Sequence, residues 1–283
     1  MKIQEDIRVL QVGSEHIYHN LGPLPRMVFD PDGIMGFEDT ADIRRESTPR
    51  PVSHGDFSTP GYYAGKLITI TGYALANHTD ELHEMRDRVA GLFNSGLEQW
   101  VSVSTLNSTR YVKASQGSGL SWEQLDDVKA RWKVDLYLAD PRMYSVTKYA
   151  QIDSASLDTT GLEVPIAFPI SFGTQEAKRP TLVNLGNSEA WPIFKVNANL
   201  VQGFTITNGT TKYISFTGET FAGSEVVIDT YKGTATVNGV DRSYQLGRRD
   251  WFSIPANSSI KPKFTPRQES NAWADVEWQD TWV

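Results

Sequence analysis

The strongest constraint on the fold lies between Val237 and Val240, where Asn238-Gly239 separates two runs of alternating apolar and polar residues. A two-residue connection of this kind is a hairpin signal, because both turn positions need positive φ, which asparagine and glycine tolerate. From Pro180 onward short strand and turn repeat: Pro192 to Asn199, Gly203 to Asn208, Lys212 to Phe216, Glu225 to Tyr231, Thr234 to Val237, Val240 to Tyr244, Trp251 to Ile254, Ile260 to Phe264 and Ala274 to Trp282. Eight or nine strands in about 100 residues without a helical pattern indicate a β-sandwich or jelly roll.

The first half reads differently. Residues 6 to 28 are short and β-leaning and run into a Pro/Gly/Asp-rich stretch, Gly22 to Gly36, expected to be a turn region. Asp30-Pro31-Asp32-Gly33 resembles the opening of a calcium loop, but the later ligand positions and closing glutamate are missing. Arg44 to Leu67 is polar and carries three prolines before Gly61, which predicts a long extended loop. Lys66 to Ala74 alternates as a strand. Thr79 is placed to cap a helix with Leu82, Met85, Val89, Leu92 and Phe93 on one face, ending near Gly96. Trp100 to Ser104, Thr109 to Ala114 and Arg131 to Ala139 follow as strands, the last with Trp132, Val134, Leu136 and Leu138 on a common face. Residues 145 to 180, rich in Ser, Thr, Pro and Gly, read as a linker, which divides the 283 residues into domains at 1–148 and 149–283.

Composition narrows the function classes. The chain has no cysteine, which removes disulfides, thiolate metal sites and cysteine nucleophiles. A formal net charge of -7 argues against specific nucleic-acid binding. No run of 18 apolar residues and no signal-peptide pattern is present, so neither membrane insertion nor export is expected, and synthesis in a cytoplasm is.

Candidate chemistry is sparse. Asp229 sits alone on an alternating strand, without a histidine, serine or second acid at a recognisable spacing, and reads as a sheet element. His16 and His19 point to opposite faces of an extended segment, and His78 and His83 lack a metalloprotease spacing, so no metal, cofactor or catalytic residue is assigned. No phosphate loop, dinucleotide fingerprint or nucleophile elbow occurs. Trp251 and Trp273 are candidates for stacking on host glycans, whereas Trp278 and Trp282 share a parity suited to core packing.

Several segments together resemble the siphophage distal tail proteins, the Dit family. They are LGNSEAWPIFKV (185 to 196), VVIDTYKGTATVNG (226 to 239) and WFSIPANSSI (251 to 260). In the first half they are GKLITITGYALANHTDELHEMRDRVAGLF (65 to 93) and LYLADPRMYS (136 to 145). The resemblance spans nearly the whole chain. It departs at Pro255-Ala256-Asn257, where the family often carries Pro-Gly-x-Asn, so a turn needing positive φ at Ala256 is not expected to form in the same way.

The resemblance implies a mainly β protein: a β-barrel-like belt domain with one helix, then a galectin-like or carbohydrate-binding-module-like sandwich shaped at its first corner by Gly186 and Pro192. It implies a structural, non-enzymatic role as a homo-hexameric ring at the distal end of a long non-contractile tail. The partners would be the tail tube protein, a tail-associated hub or lysin-type protein and receptor-binding or baseplate proteins. Within that frame Arg44, Arg45, His54, Phe57, Tyr62 and Tyr63 are candidates for an arm reaching a neighbouring subunit or the tube; the alternative is a surface loop. The rival function is a carbohydrate-binding module for host cell-surface glycans, and a cell-wall hydrolase ranks third.

Overall fold

The computed structural model describes residues 9–12, 15–19, 26–92, 96–104, 108–154, 179–268, 270 and 272–283. The protein is mainly β, with one α-helix among the described residues. It divides into two compact units, residues 1–146 with Val283, and residues 147–282.

In the first unit the strands are ordered Glu15–His19, Val9–Val12, Gln99–Ser104, Thr109–Gln116, Lys129–Leu138, Lys66–Leu75 and Arg26–Met35, all antiparallel neighbours. Lys129–Leu138 and Lys66–Leu75 pair along their full length, Lys129 against Leu75 and Leu138 against Lys66. Period-two alternation sends Trp132, Val134, Leu136 and Leu138 into the core with Ile68 and Ile70, as the sequence pattern requires. Gly72 lies where a Cβ would stand 2.1 Å from the Val28 carbonyl oxygen and 2.8 Å from the Trp132 ring, so the large indole is seated against bare backbone.

Three expectations for this half are corrected. Arg26–Met35 is one strand, running through the segment expected to be a turn; the pairing register slips between Phe29 and Ile34, and this irregularity absorbs Asp30-Pro31-Asp32-Gly33. The helix, Thr79–Gly91, is capped by His78 and not by Thr79: Nδ1 of His78 accepts from the Glu81 N–H at 3.3 Å. Thr79 is occupied elsewhere, its hydroxyl donating to the Asp127 carbonyl at 3.0 Å, while the Glu81 carboxylate reaches back to the Asn77 N–H at 2.8 Å. Leu82 and Val89 are buried, with Met85 and Leu92 packed beside them. The helix stops at Gly91 with Leu92 as C-cap, short of Gly96, and Phe93 lies outside the described residues.

The second unit has two main sheets around one core, and a two-stranded pair of Leu182–Asn184 with Ser258–Ile260. Lys148–Asp153, Trp273–Trp278, Ile193–Asn197, Glu225–Asp229, Thr234–Val237 and Val240–Asp241 form a six-stranded sheet. Leu246–Arg249, Lys212–Phe216, Phe204–Asn208 and Lys263–Pro266 form a four-stranded one. Phe194, Val196, Val226, Ile228 and Val276 from the first meet Phe204, Ile206, Ile214, Phe216 and Phe264 from the second, with Phe204 5.5 Å from the centroids of both Phe216 and Phe264. This is a β-sandwich.

Three local readings are revised here. Lys148–Asp153, within the expected linker, is a strand, held because it pairs with Trp273–Trp278 residue for residue. Trp251 to Ile254 contributes only a bridge from Ile254 to Ala190, and the last stretch breaks at Gln279-Asp280 into Trp273–Trp278 and Thr281–Trp282. Trp278 is core, its indole N–H donating to the Val183 carbonyl at 2.9 Å.

The LGNSEAW corner has a physical reason for its composition. The Asn184 side chain is fully buried; its amide nitrogen donates to the carbonyls of Ser188, Ile254 and Pro255, and its oxygen accepts from the Gly186 and Thr281 N–H groups. At Gly186 any Cβ would fall 1.9 Å from the Thr281 carbonyl oxygen. The buried Asp280 carboxylate closes the same corner, accepting from Lys148 Nζ at 2.7 Å and the Leu185 N–H at 3.1 Å.

Candidate assembly surface

The long polar segment is a β-hairpin arm. Ile43 pairs with Tyr63 and Arg44 with Tyr62, Pro49 bridges Asp56, and the Arg50 N–H closes the tip on the Gly55 carbonyl at 3.1 Å. Gly55 turns at φ +83, a left-handed geometry suited to glycine. Side chains extend the ladder where strand pairing lapses: the Thr59 hydroxyl donates to the Glu46 carbonyl at 2.5 Å, and the Ser47 hydroxyl to the Asp56 carboxylate.

The root is anchored. The Ala64 N–H donates to the Asp42 carbonyl at 2.7 Å, and Lys66 sends its buried amine back to the carbonyls of Phe37 (2.9 Å) and Asp39. Burial pushes the Lys66 amine below its ordinary pKa, against the opposing pull of Asp39. Phe37 and Ala41 are buried, so the segment leading into the arm is fixed to the core.

From Asp42 to Tyr63 every residue is exposed except the half-buried Thr59. The arm nevertheless carries Ile43, Val52 (96% exposed), Phe57, Tyr62 and Tyr63. Of the residues singled out in the sequence, the structure joins Arg44 to Tyr62 across the hairpin and places Tyr63 opposite Ile43. Arg45 lies with its guanidinium beside Gly61, His54 sits at the tip next to Gly55, and Phe57 lies under the Arg50 guanidinium at 5.7 Å.

A second exposed apolar group adjoins the root. On the outer face of the sheet Leu67 (59% exposed) pairs with Tyr137 (42%), and Met35 (52%) pairs with Thr69. Gly65 and Gly117 leave room for these two side chains: a Cβ at 65 would stand 2.3 Å from the Tyr137 hydroxyl, and one at 117 would stand 2.9 Å from Leu67 Cδ2. Sequence reasoning passed over this group. Its signal was Tyr137 as the aromatic residue on the face that otherwise carries Arg131, Lys133 and Asp135.

The strand aspartate is structural. Asp229 Oδ1 accepts from the N–H groups of Tyr231 and Lys232, both at 3.0 Å, while its carbonyl receives the Gly233 N–H at 3.0 Å. It closes the hairpin between Glu225–Asp229 and Thr234–Val237. Asn238 (φ 49) and Gly239 (φ 79) close the next one with the geometry their sequence demands.

The two tryptophans proposed for glycan stacking do not form one platform. Trp273 (43% exposed) opens the strand that ends at Trp278. Trp251 is half-buried against the core, 3.3 Å from where a Gly233 side chain would begin. Gly233 follows Asp229, which is in register with Ile193 and hence Glu277, four residues or roughly 13 Å along the strand from Trp273. Trp191 and Tyr231 meet edge to face at 6.0 Å at that same turn, a pairing the sequence did not suggest. Among the described residues no group of three or more His, Asp or Glu converges as metal ligands, and the side chains of His16 and His19 are outside the description. No helix is long and apolar enough to cross a membrane among the described residues.

The comparisons with known proteins agree with this architecture. Residues 185–282 match the family model for the siphovirus-type tail component, C-terminal domain. No curated protein sequence matches the chain. Among solved structures, the Dit protein of phage SPP1, described as a paradigm of the hub adsorption apparatus in phages infecting Gram-positive hosts, superposes with a TM-score of 0.65 at 11% identity, over 97% of this chain and 99% of that one. A chain of the phage p2 baseplate, in its activated conformation with Sr, superposes with a TM-score of 0.52 at 9% identity, over 96% and 97%. Residues 185–282 thus match the siphovirus-type tail component, C-terminal domain, and nearly the whole chain shares the fold of the Dit protein of phage SPP1.

Proposed function

We propose that copies of this chain close a hexameric ring at the distal end of a long non-contractile phage tail, the first unit joining ring to tube and the sandwich facing the tail-tip proteins. The match of residues 185–282 to the siphovirus-type tail component and the fold shared with the SPP1 Dit protein support a structural tail-hub component. The observation that carries the reading is the arm, Asp42 to Tyr63, anchored at its root and exposed along its length. A segment of that size leaves five large apolar residues exposed among the described residues, and a neighbouring copy would cover them. Each copy presents an arm and, beside its root, the Met35, Leu67 and Tyr137 face. Two unlike surfaces on one molecule make a heterologous contact, which closes into a ring when the rotation allows.

The expected partners are the tail tube protein on one side and hub, lysin-type, receptor-binding or baseplate proteins on the other. Catalysis has no part in the proposal, and the site is the virion tail tip. The experiment is light scattering coupled to size exclusion, with negative-stain images of the same peak, for the wild type and for a variant with residues 46–60 replaced by a short glycine linker. A hexamer for the wild type and a folded monomer for the variant support the reading. A wild type that stays monomeric at every concentration and is absent from purified tails overturns it.

A further inference from the structure

At one end of the sandwich, a cleft of about 530 Å³ opens between the turn at 219–224, the hairpin at 237–240 and the turn at 242–245. It is lined by Glu219, Phe221, Ser224, Val237, Asn238, Val240, Arg242 and Gln245. We propose that this cleft binds an uncharged saccharide.

Three features of the lining point there. Its polar groups mix donors and acceptors of both kinds: a carboxylate, a guanidinium, two carboxamides and a hydroxyl, with Glu219 and Arg242 cancelling in charge. That set matches the many hydroxyls of a sugar; a phosphate polymer calls for clustered basic groups, and a lipid for an apolar lining. Phe221 stands at the rim 63% exposed, an aromatic face of the type that packs on the C–H side of a pyranose. The volume falls in the range of roughly 300–1,000 Å³ common to small-molecule sites.

The lining is also held in place before any ligand arrives. Asn238 Oδ1 accepts the Glu225 N–H at 2.9 Å, which orients the carboxamide and leaves its nitrogen as donor. Arg242 is fixed by its N–H to the Ala235 carbonyl at 2.8 Å and by Nη1 to the Tyr244 hydroxyl at 2.6 Å. The main chain at Gln245 is fixed as well, its backbone carbonyl receiving both the N–H and the hydroxyl of Thr217. Pre-organised groups lose little freedom on binding, which suits a ligand as weakly held as a sugar. A peptide added as a strand is a poorer fit, because the sheet edge here, Val240–Asp241, is two residues long and offers few backbone partners.

The test uses the full chain on an array of uncharged and anionic di- to tetrasaccharides, followed by saturation-transfer NMR with the uncharged saccharide bound best. Binding to at least one uncharged saccharide is expected. Phe221→Ala and Arg242→Ala should each weaken it about tenfold or more, Phe221→Tyr should retain it, and Trp273→Ala should leave it unchanged. These side chains are on the surface, so unchanged thermal melts will show that the variants fold. The proposal is overturned if the folded protein binds no uncharged saccharide, if it binds only anionic ones, or if Trp273→Ala abolishes binding while Phe221→Ala does not. The ring is read by light scattering and stands or falls separately.

Discussion

Arg142 holds the Asp140 carboxylate in a two-pronged grip, Nε to Oδ1 at 2.8 Å and Nη2 to Oδ2 at 2.6 Å, while the Tyr144 hydroxyl donates to Oδ2 at 2.7 Å. The segment after the core strand Lys129–Leu138 is thereby folded back on itself, and Tyr144 meets Trp100 edge to face at 5.9 Å. Burial alone would push the Asp140 carboxyl up, but the Arg142 and Tyr144 hydrogen bonds outweigh it and hold the carboxyl below its ordinary value.

A carboxyl depressed in the folded state contributes stability that is complete above the unfolded value, near pH 3.9, and is lost as the pH falls through the folded value. Asp140→Asn should therefore cost about 1–2 kcal/mol at pH 7 and progressively less below pH 4. Urea denaturation of both proteins from pH 3 to pH 7 checks this. A difference that does not shrink in acid counts against the assignment.

Two glycine replacements should separate steric from conformational cost. At Gly186 a methyl group would collide with the Thr281 backbone, so Gly186→Ala is expected to lose about 3 kcal/mol or more. At Gly239 a Cβ would meet nothing within 4 Å, and only φ +79 opposes it, so Gly239→Ala should lose about 1–2 kcal/mol. Chemical denaturation midpoints rank the two.

The left-handed position after Pro255 is taken by Asn257 at φ 48, not by Ala256, with the Asn257 N–H donating to the Gly186 carbonyl at 2.8 Å. The missing glycine is thus compensated one residue later. Asn257→Gly should be neutral within about 0.5 kcal/mol, while Asn257→Val should cost about 1–2 kcal/mol. Thermal melts of the two variants distinguish this from a strained turn at 256.

Arg44 and Arg45 lie on the exposed arm, so trypsin should cut the isolated chain there first, whereas Arg50 is shielded by the Pro51 that follows it. Under the ring proposal the same sites become protected in assembled tails. Mass spectrometry of the first fragments, from free protein and from purified virions, reads both states. Equal cleavage in the two would remove the arm from the interface.

Where alternation is strong and partners are near in sequence, the fold was legible. Lys129–Leu138 announced its buried face through Trp132, Val134, Leu136 and Leu138, and Asn238-Gly239 announced its turn. The strand Lys148–Asp153 was not legible, because its identity comes from pairing with Trp273–Trp278 at the far end of the unit, not from its own residues. Arg26–Met35 was hidden by Pro31 and Gly33, which a register slip accommodates. The arm was visible as an uneconomical length of polar chain, but its hairpin pairing was not, since Ile43-Arg44 and Tyr62-Tyr63 are too short to show a period. The cleft was invisible because no two of its three contributing segments carry a shared motif.

Lys148 and Asp280, joined in the closed corner of the sandwich, lie 132 positions apart. During synthesis the six-stranded sheet therefore lacks both Trp273–Trp278 and the strand that strand recruits until almost the whole unit has left the ribosome. Until then the Ile193–Asn197 edge stays unpaired on that side and apolar. This sheet is therefore expected to close late in synthesis, and a chain cut before Trp273 is expected to leave the Ile193–Asn197 edge open to other chains.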